Sequence, residues 1–294
     1  MILSFIYIQR LFSHSVRLHP EISLFAPAVN EKGISNTWNL YNHTLAVTYS
    51  SDRTSLRLCY EGNGSTGAMI AKNPLPSDEF QIDIRFAIME SKVSTFFGGS
   101  GLAGDGFAMW LTRNGEFKPG NCFGRSNEFD GMLLALNTYK NNKAGKHSIP
   151  FLGLACGNNL VYNTSEDGLN IIQSPVILKD IIGKPGTIRI ESKQDILKIY
   201  ISFQNGEFKE IYNLRNPGIG KDYYLGVSAS NTFGTYSYRF TGIRTYVINT
   251  LGHTEDLKET GRSSKLIWLA FGVIIVLIGY AILTKQVKTK ELIK

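Results

Sequence analysis

The sequence predicts an all-β fold, an antiparallel jelly-roll sandwich of about 215 to 230 residues. Three observations lead there. "FQIDIRFAI" alternates Phe80, Ile82, Ile84, Phe86 and Ile88 against Gln81, Asp83 and Arg85, the period of a strand with one dry and one wet face. "LKIYISFQNGEFKEIYNL" alternates Leu197, Ile199, Ile201 and Phe203 into Asn205-Gly206, the strongest short hairpin signal. No long amphipathic helix pattern precedes residue 266, and glycine-rich turns recur between the strand-like runs.

Two segments depart from alternation. "GFAMWL" from Gly106 and "GMLLALNTY" from Gly131 are apolar at successive positions, which predicts strands covered on both faces. Overall, 294 residues with 43% hydrophobic and 19% charged side chains supply a sizeable core and exclude a disordered chain. The net charge of +7 comes from 31 basic against 24 acidic residues, but the excess is scattered. That excludes a nucleic-acid groove, which needs a basic face with interleaved aromatics.

The ends of the chain read differently from the middle. Leu266 to Leu283, "LIWLAFGVIIVLIGYAIL", carries no charge and is flanked by Lys265 and Lys285. At about 1.5 Å per residue it covers about 27 Å as a helix, enough to cross the thinner bilayer of the endoplasmic reticulum. The tail after it holds Lys285, Lys288, Lys290 and Lys294 against Glu291 alone, whereas residues 255–265 mix three acids with three bases; the positive-inside rule then puts the tail in the cytoplasm. The preceding chain is expected on the lumenal side, behind a leader formed by "MILSFIYI" with Ser13 and Ser15 as cleavage-site residues. The tract from Leu251 to Lys265 is short and polar, a stalk.

Cys59, Cys122 and Cys156 allow one bridge at most and form no C-x-x-C pair. Sequons at Asn42, Asn63 and Asn163 offer glycan acceptors to a lumenal domain.

The chemistry concentrates in three blocks. Asp105 sits between Gly104 and Gly106 at the mouth of an apolar strand. An acid there is either a turn residue accepting a local backbone hydrogen bond or an acceptor presented to a ligand. The second block is "LNTYKNN", with Asn137, Tyr139, Asn141 and Asn142; the third is "SEDG", with Asp167. A carboxylate, amide oxygens and a backbone carbonyl arriving from two loops are the ligand types that Ca2+ takes.

Taken in order, "SNTWNL", "TGAMIAKNPLPSDEFQIDIRF", "GDGFAMWLTRNGEFKPGNCFG", "FDGMLLALNTYKNN" and "VYNTSEDG" resemble the leguminous-type (L-type) lectins of the early secretory pathway, the intermediate-compartment and vesicular integral membrane lectins. The resemblance runs from about Glu21 to Val247. It implies a type I membrane protein of the endoplasmic reticulum and Golgi that carries high-mannose glycoproteins, with coat-protein contacts through its tail. The implied layout is a signal peptide at 1–16, a lumenal lectin-like domain at 17–249, a stalk at 250–265, a transmembrane helix at 266–283 and a cytoplasmic tail at 284–294. It further implies that Asp105, Gly106, Asn141 and Ser65 contact sugar, and that Asn137, Tyr139 through its carbonyl, Asn141 and Asp167 hold Ca2+.

Several positions depart from that pattern. Asn137 stands where the family has an aspartate, removing one charge from the calcium site. Thr164 stands where it has a sugar-contacting histidine, and the last sugar loop, near Asn231 to Thr235, keeps a glycine but loses its acid. The later paired cysteines are missing, Asn163 places a sequon in the binding loop, and Lys290 and Lys294 do not fit the usual dilysine offsets.

These departures keep a second reading open, a lectin-fold adaptor that binds protein partners and no sugar. Catalysis is not expected. Glycoside hydrolysis needs two carboxylates about 5 to 9.5 Å apart across a cleft, and Asp105 with Asp167 is the one pair the motifs supply. His14, His19, His43, His147 and His253 lie outside every motif, and no G-x-S-x-G elbow is present.

Overall fold

Sixteen strands make up most of the described part of the computed structural model, which describes residues 15–50, 53–60, 64–90, 104–231 and 236–249. The strands are β1 Ser15–Leu18, β2 Trp38–Asn42, β3 Leu45–Ser50, β4 Arg53–Cys59, β5 Ser65–Ala71, β6 Phe80–Glu90, β7 Gly106–Thr112 and β8 Pro119–Cys122. They continue as β9 Glu128–Asn137, β10 Phe151–Val161, β11 Gln173–Ile177, β12 Gly186–Lys193, β13 Ile196–Phe203, β14 Lys209–Arg215, β15 Tyr224–Asn231 and β16 Tyr236–Asn249. Helical structure among the described residues is limited to 3-10 turns such as Pro20–Ile22 and Thr164–Glu166.

Two antiparallel sheets form. One runs β14-β13-β12-β6-β16-β4-β3, with β1 added along β16; the other runs β11-β10-β9-β7-β15-β5-β2. The alternation in the sequence explains the first sheet directly: Phe80, Ile82, Ile84, Phe86 and Ile88 of β6 are buried, as are Ile188 and Ile190 of β12 and Leu197, Ile199 and Ile201 of β13. These residues share one core with Phe107, Met109, Leu111, Met132, Leu134 and Leu136 of the second sheet. At roughly 1.5–3 kcal/mol for each large apolar side chain withdrawn from water, this layer dominates the stability of the fold.

The other face of β7 and β9 is also dry. Ala108, Trp110, Leu133 and Ala135 pack into a second cluster with Cys122, Phe123, Tyr162 and Ile172 from the covering loops. Those loops are why "FAMWL" and "MLLAL" carry apolar residues at every position, as expected for strands covered twice.

One expectation shifts in detail. The positive φ values of the hairpin between β13 and β14 fall on Gln204 and Asn205, one residue before the Asn205-Gly206 pair; Ser202 Oγ donates to Gly206 O at 2.6 Å and closes the loop there. At the edge of the first sheet, Ser15 and Val16 pair with Asn249 and Ile248, which sets β1 along the end of β16.

The expected leader up to residue 14, the Asn63 sequon, the stalk, the apolar stretch 266–283 and the tail lie outside the described residues. Among the described residues no helix is long and apolar enough to cross a membrane.

All three cysteines are free thiols. Burial pushes Cys59 and Cys156 up to about 12 from an ordinary 9.0, and Cys122 well above it. At pH 8 only about one thiol in ten thousand is then ionised at a pKa of about 12, so native protein will resist maleimide or DTNB labelling while unfolded protein reacts at all three. Because the folded-state pKa values are raised, the stability is whole below pH 9 and falls as pH rises from 9 toward 12. Rapid labelling of the native chain at pH 8 would contradict this.

Candidate functional site

Asp105 enters β7 under tight steric control. A Cβ at Gly106, where φ is +133°, would lie 2.0 Å from Leu136 O; one at Gly104 would lie 2.2 Å from Asn231 Oδ1. Glycine is therefore required at 106 by the backbone of the neighbouring strand, whereas at 104 the Asn231 side chain would have to shift to admit a Cβ. Between them Asp105 is half-buried, and its Oδ2 accepts a 2.7 Å hydrogen bond from Ser230 Oγ of β15.

The second block is joined to the first through the backbone. Gly106 pairs with Asn137 across β7 and β9, and Thr138 N donates to Asp105 O at 3.0 Å. Thr138 Oγ1 is also bonded to Gly104 O and shares a 2.8 Å hydrogen bond with Tyr238 Oη. Tyr238 is fully buried, and desolvation raises its hydroxyl well above the ordinary phenol range. It stays neutral and holds the turn from beneath.

The third block closes on the second. Asp167 ends the Thr164–Glu166 turn in the left-handed region at φ 56° and is 0% exposed. Asn163 caps that turn, accepting from Ser165 N at 3.1 Å. Asp167 Oδ1 accepts from Asn141 N at 2.9 Å and Asn141 Nδ2 at 3.0 Å. Oδ2 accepts from Asn142 N at 3.0 Å and is 2.9 Å from His147 Nε2.

So the structure brings the three sequence blocks together, with Asp105 half-exposed and Asn141 exposed at the surface. Two expectations need correction. Ser65 is fully buried, and its hydroxyl donates to Tyr60 O at 2.8 Å; it supports the base of β5 and is not presented to a sugar. His147, set aside as lying outside every motif, has a side chain only 6% exposed and docks directly on Asp167. A lone histidine twenty residues from its partner leaves no periodic or motif signal in the sequence.

The residues expected to hold Ca2+ are paired with one another as donors and acceptors. Asn137 Oδ1 accepts from Tyr139 N at 3.0 Å, Asn141 directs its amide N–H at Asp167, and Asp167 is surrounded by N–H groups. Turning the Asn141 amide over would set two oxygens face to face. Ca2+ requires six to eight converging oxygens, and this donor-rich arrangement does not fit it. Among the described residues no three His, Cys, Asp or Glu side chains form a metal-binding group.

A different feature lies at the far end of the same strands. A cavity of about 190 Å³ is lined by Trp110, Arg113, Lys118, Arg125 and Asp130. Arg125 stacks over Trp110 at 4.8 Å, and burial lowers its pKa to about 10. It closes the second apolar cluster from above.

Two antiparallel sheets carrying a loop-borne Asp and Asn site at the mouth of β7 and β9 define a sandwich of the legume-lectin class. The chain belongs to the legume-like lectin family, whose model matches residues 15–237. An L-type lectin-like domain-containing protein of Schizosaccharomyces pombe is 24% identical over 298 residues, covering 95% of this chain and 90% of that protein. The human vesicular integral-membrane protein VIP36 is 27% identical over 114 residues, which is 38% of this chain and 30% of VIP36. The structure of the VIP36 exoplasmic/lumenal domain in its Ca2+/Man2-bound form matches with a TM-score of 0.67 at 21% identity, covering 82% of this chain and 92% of that one.

One prediction follows from the support beneath Asp105. Ser230→Ala removes this hydrogen bond from the carboxylate, and loss of a hydrogen bond to a charged group amounts to about tenfold in affinity. Any affinity of this site for a glycan should weaken by about that factor with little change in melting temperature; unchanged affinity would remove Ser230 from the account.

Proposed function

We propose that the chain is a mannose-directed lectin, recognising high-mannose N-glycans on glycoproteins and acting as a cargo receptor or sorting lectin between endoplasmic reticulum and Golgi. The observation that carries this reading is the presentation of Asp105: a carboxylate held between two closely packed glycines and bonded to Ser230, half-exposed beside the Asn137–Asn142 loop. A fixed acceptor binds sugar hydroxyls without the cost of ordering it first. Gly106 contributes by shaping the approach, and the exposed Asn141 offers a second polar contact. Membership of a lectin family and the mannose-bound form of the VIP36 neighbour support the choice of ligand.

The proposed layout is a leader, a lumenal lectin domain, a stalk over 250–265, a membrane span over 266–283 and a cytoplasmic tail over 284–294, in a single-pass type I orientation. It rests on the uncharged stretch and the lysine-rich tail. No chemical step is assigned to the site, and its role is binding.

The burial of Ser65 and the presence of Thr164, whose hydroxyl sits 3.5 Å from Asn121 O, favour a second reading: an adaptor that keeps the fold and binds protein. A glycan array probed with the full chain in detergent separates the two. Retention on mannose-terminated structures supports the lectin reading, and absence of binding to every glycan leaves the adaptor.

A further inference from the structure

The loop that carries Asn141 meets Asp167, a carboxylate wholly removed from water. A buried carboxylate must be neutralised, matched by a cation, or surrounded by N–H donors. Here four N–H groups converge on it from one loop: two backbone amides, of Asn141 and Asn142, the Asn141 side chain, and the His147 imidazole. The histidine is itself enclosed. Its ring packs edge-on against Phe151 with centroids 5.6 Å apart, and Gly145, where a Cβ would lie 2.8 Å from Nδ1, makes room for it. Lys140 Nζ donates to Gly145 O at 2.6 Å, and Gly145 N donates to Asn142 Oδ1 at 2.9 Å, so the turn holding His147 is tied back on both sides.

We infer that His147 and the Asn141–Asn142 amides close this loop on Asp167 in place of a divalent cation, so that the loop is ordered without Ca2+, unlike the Ca2+-bound forms of the VIP36 domain. Three features carry the inference. Each Asp167 oxygen already accepts two N–H donors, which leaves neither free for a cation. Asn137 is neutral, 2% exposed, and bonded to its own loop through Tyr139 N. And a cation approaching Asp167 would have to displace an imidazole whose side chain is 6% exposed. The inference concerns the order of the loop and does not depend on which ligand the loop binds.

The test uses the full chain in detergent and no sugar. CaCl2 is titrated calorimetrically, melting is followed in EDTA and in millimolar CaCl2, and hydrogen exchange is measured on peptides containing Asn141 and Asn142. The expected results are no saturable heat, the same melting temperature in both buffers, and slow exchange of the two amides in EDTA. His147→Leu should speed that exchange about tenfold or more, and His147→Gln, which keeps an N–H donor, should restore most of the protection. Saturable Ca2+ binding with a melting rise of roughly 5–10 °C at 100 times its Kd would overturn the inference. So would amides that exchange as freely in the wild type in EDTA as in His147→Leu. If His147→Leu does not fold, the wild-type titration and His147→Gln still decide the matter.

Discussion

Asp105→Asn is expected to lower affinity for mannose-terminated glycans by more than about 100-fold. The proposed contact is a carboxylate accepting from two sugar hydroxyls, and hydrogen bonds to an ionised acceptor contribute about 1.5–3 kcal/mol each. Two of them amount to about 3–6 kcal/mol, against 1.4 kcal/mol for each factor of ten. The fold should barely register the change. The asparagine carbonyl can accept from Ser230 Oγ as Asp105 Oδ2 does now at 2.7 Å, and Asp105 O keeps its bond from Thr138 N. A shift of about 1 kcal/mol would move the melting temperature by about 2–4 °C in a domain of this size. If Asp105 were only a turn residue, the order would be reversed: melting would fall and there would be no affinity to lose.

Gly106→Ala should instead destroy the fold around the site. Its φ of +133° lies where side chains are strained, and the new Cβ would press to 2.0 Å from Leu136 O. Leu136 belongs to β9, paired with β7 through the middle of the second sheet, so the backbone cannot yield without opening the ladder. Strain of about 1–3 kcal/mol from the dihedral alone, added to the clash, is a large share of a total stability of about 5–15 kcal/mol. Loss of soluble, cooperatively melting protein is the expected readout. A variant with wild-type melting would show that the glycine is dispensable. Together the two substitutions separate presentation of the acid from the frame that presents it.

Much of this was legible in the chain. Period-two alternation identified β6 and β13 because one face of the first sheet meets the core and the other meets water. The unbroken apolar runs of β7 and β9 announced a second covering layer, which the Cys122–Phe123 and Tyr162–Ile172 segments supply. The family resemblance carried by the blocks implied one site for Asp105, Asn137–Asn142 and Asp167, and in the structure Thr138 N meets Asp105 O while Asn141 N meets Asp167 Oδ1. What was not readable depended on distance across the fold. Nothing local in "GKHSIP" marks His147 as the partner of Asp167, and nothing in "NGSTGAM" shows that Ser65 turns inward to Tyr60. The reason for Gly106 was likewise hidden, since it lies in the approach of Leu136 O from another strand. Residue types indicated the kind of chemistry; only the packing shows which acceptors are already occupied.

The most direct measurement is calorimetric titration of mannobiose into the full chain in detergent, with EDTA present, for the wild type and for Asp105→Asn. Saturable heat in the wild type that disappears in Asp105→Asn, with both proteins melting alike, is the predicted result. Absence of heat in the wild type both with EDTA and with Ca2+, or equal heat in the two proteins, would contradict a sugar site built on Asp105.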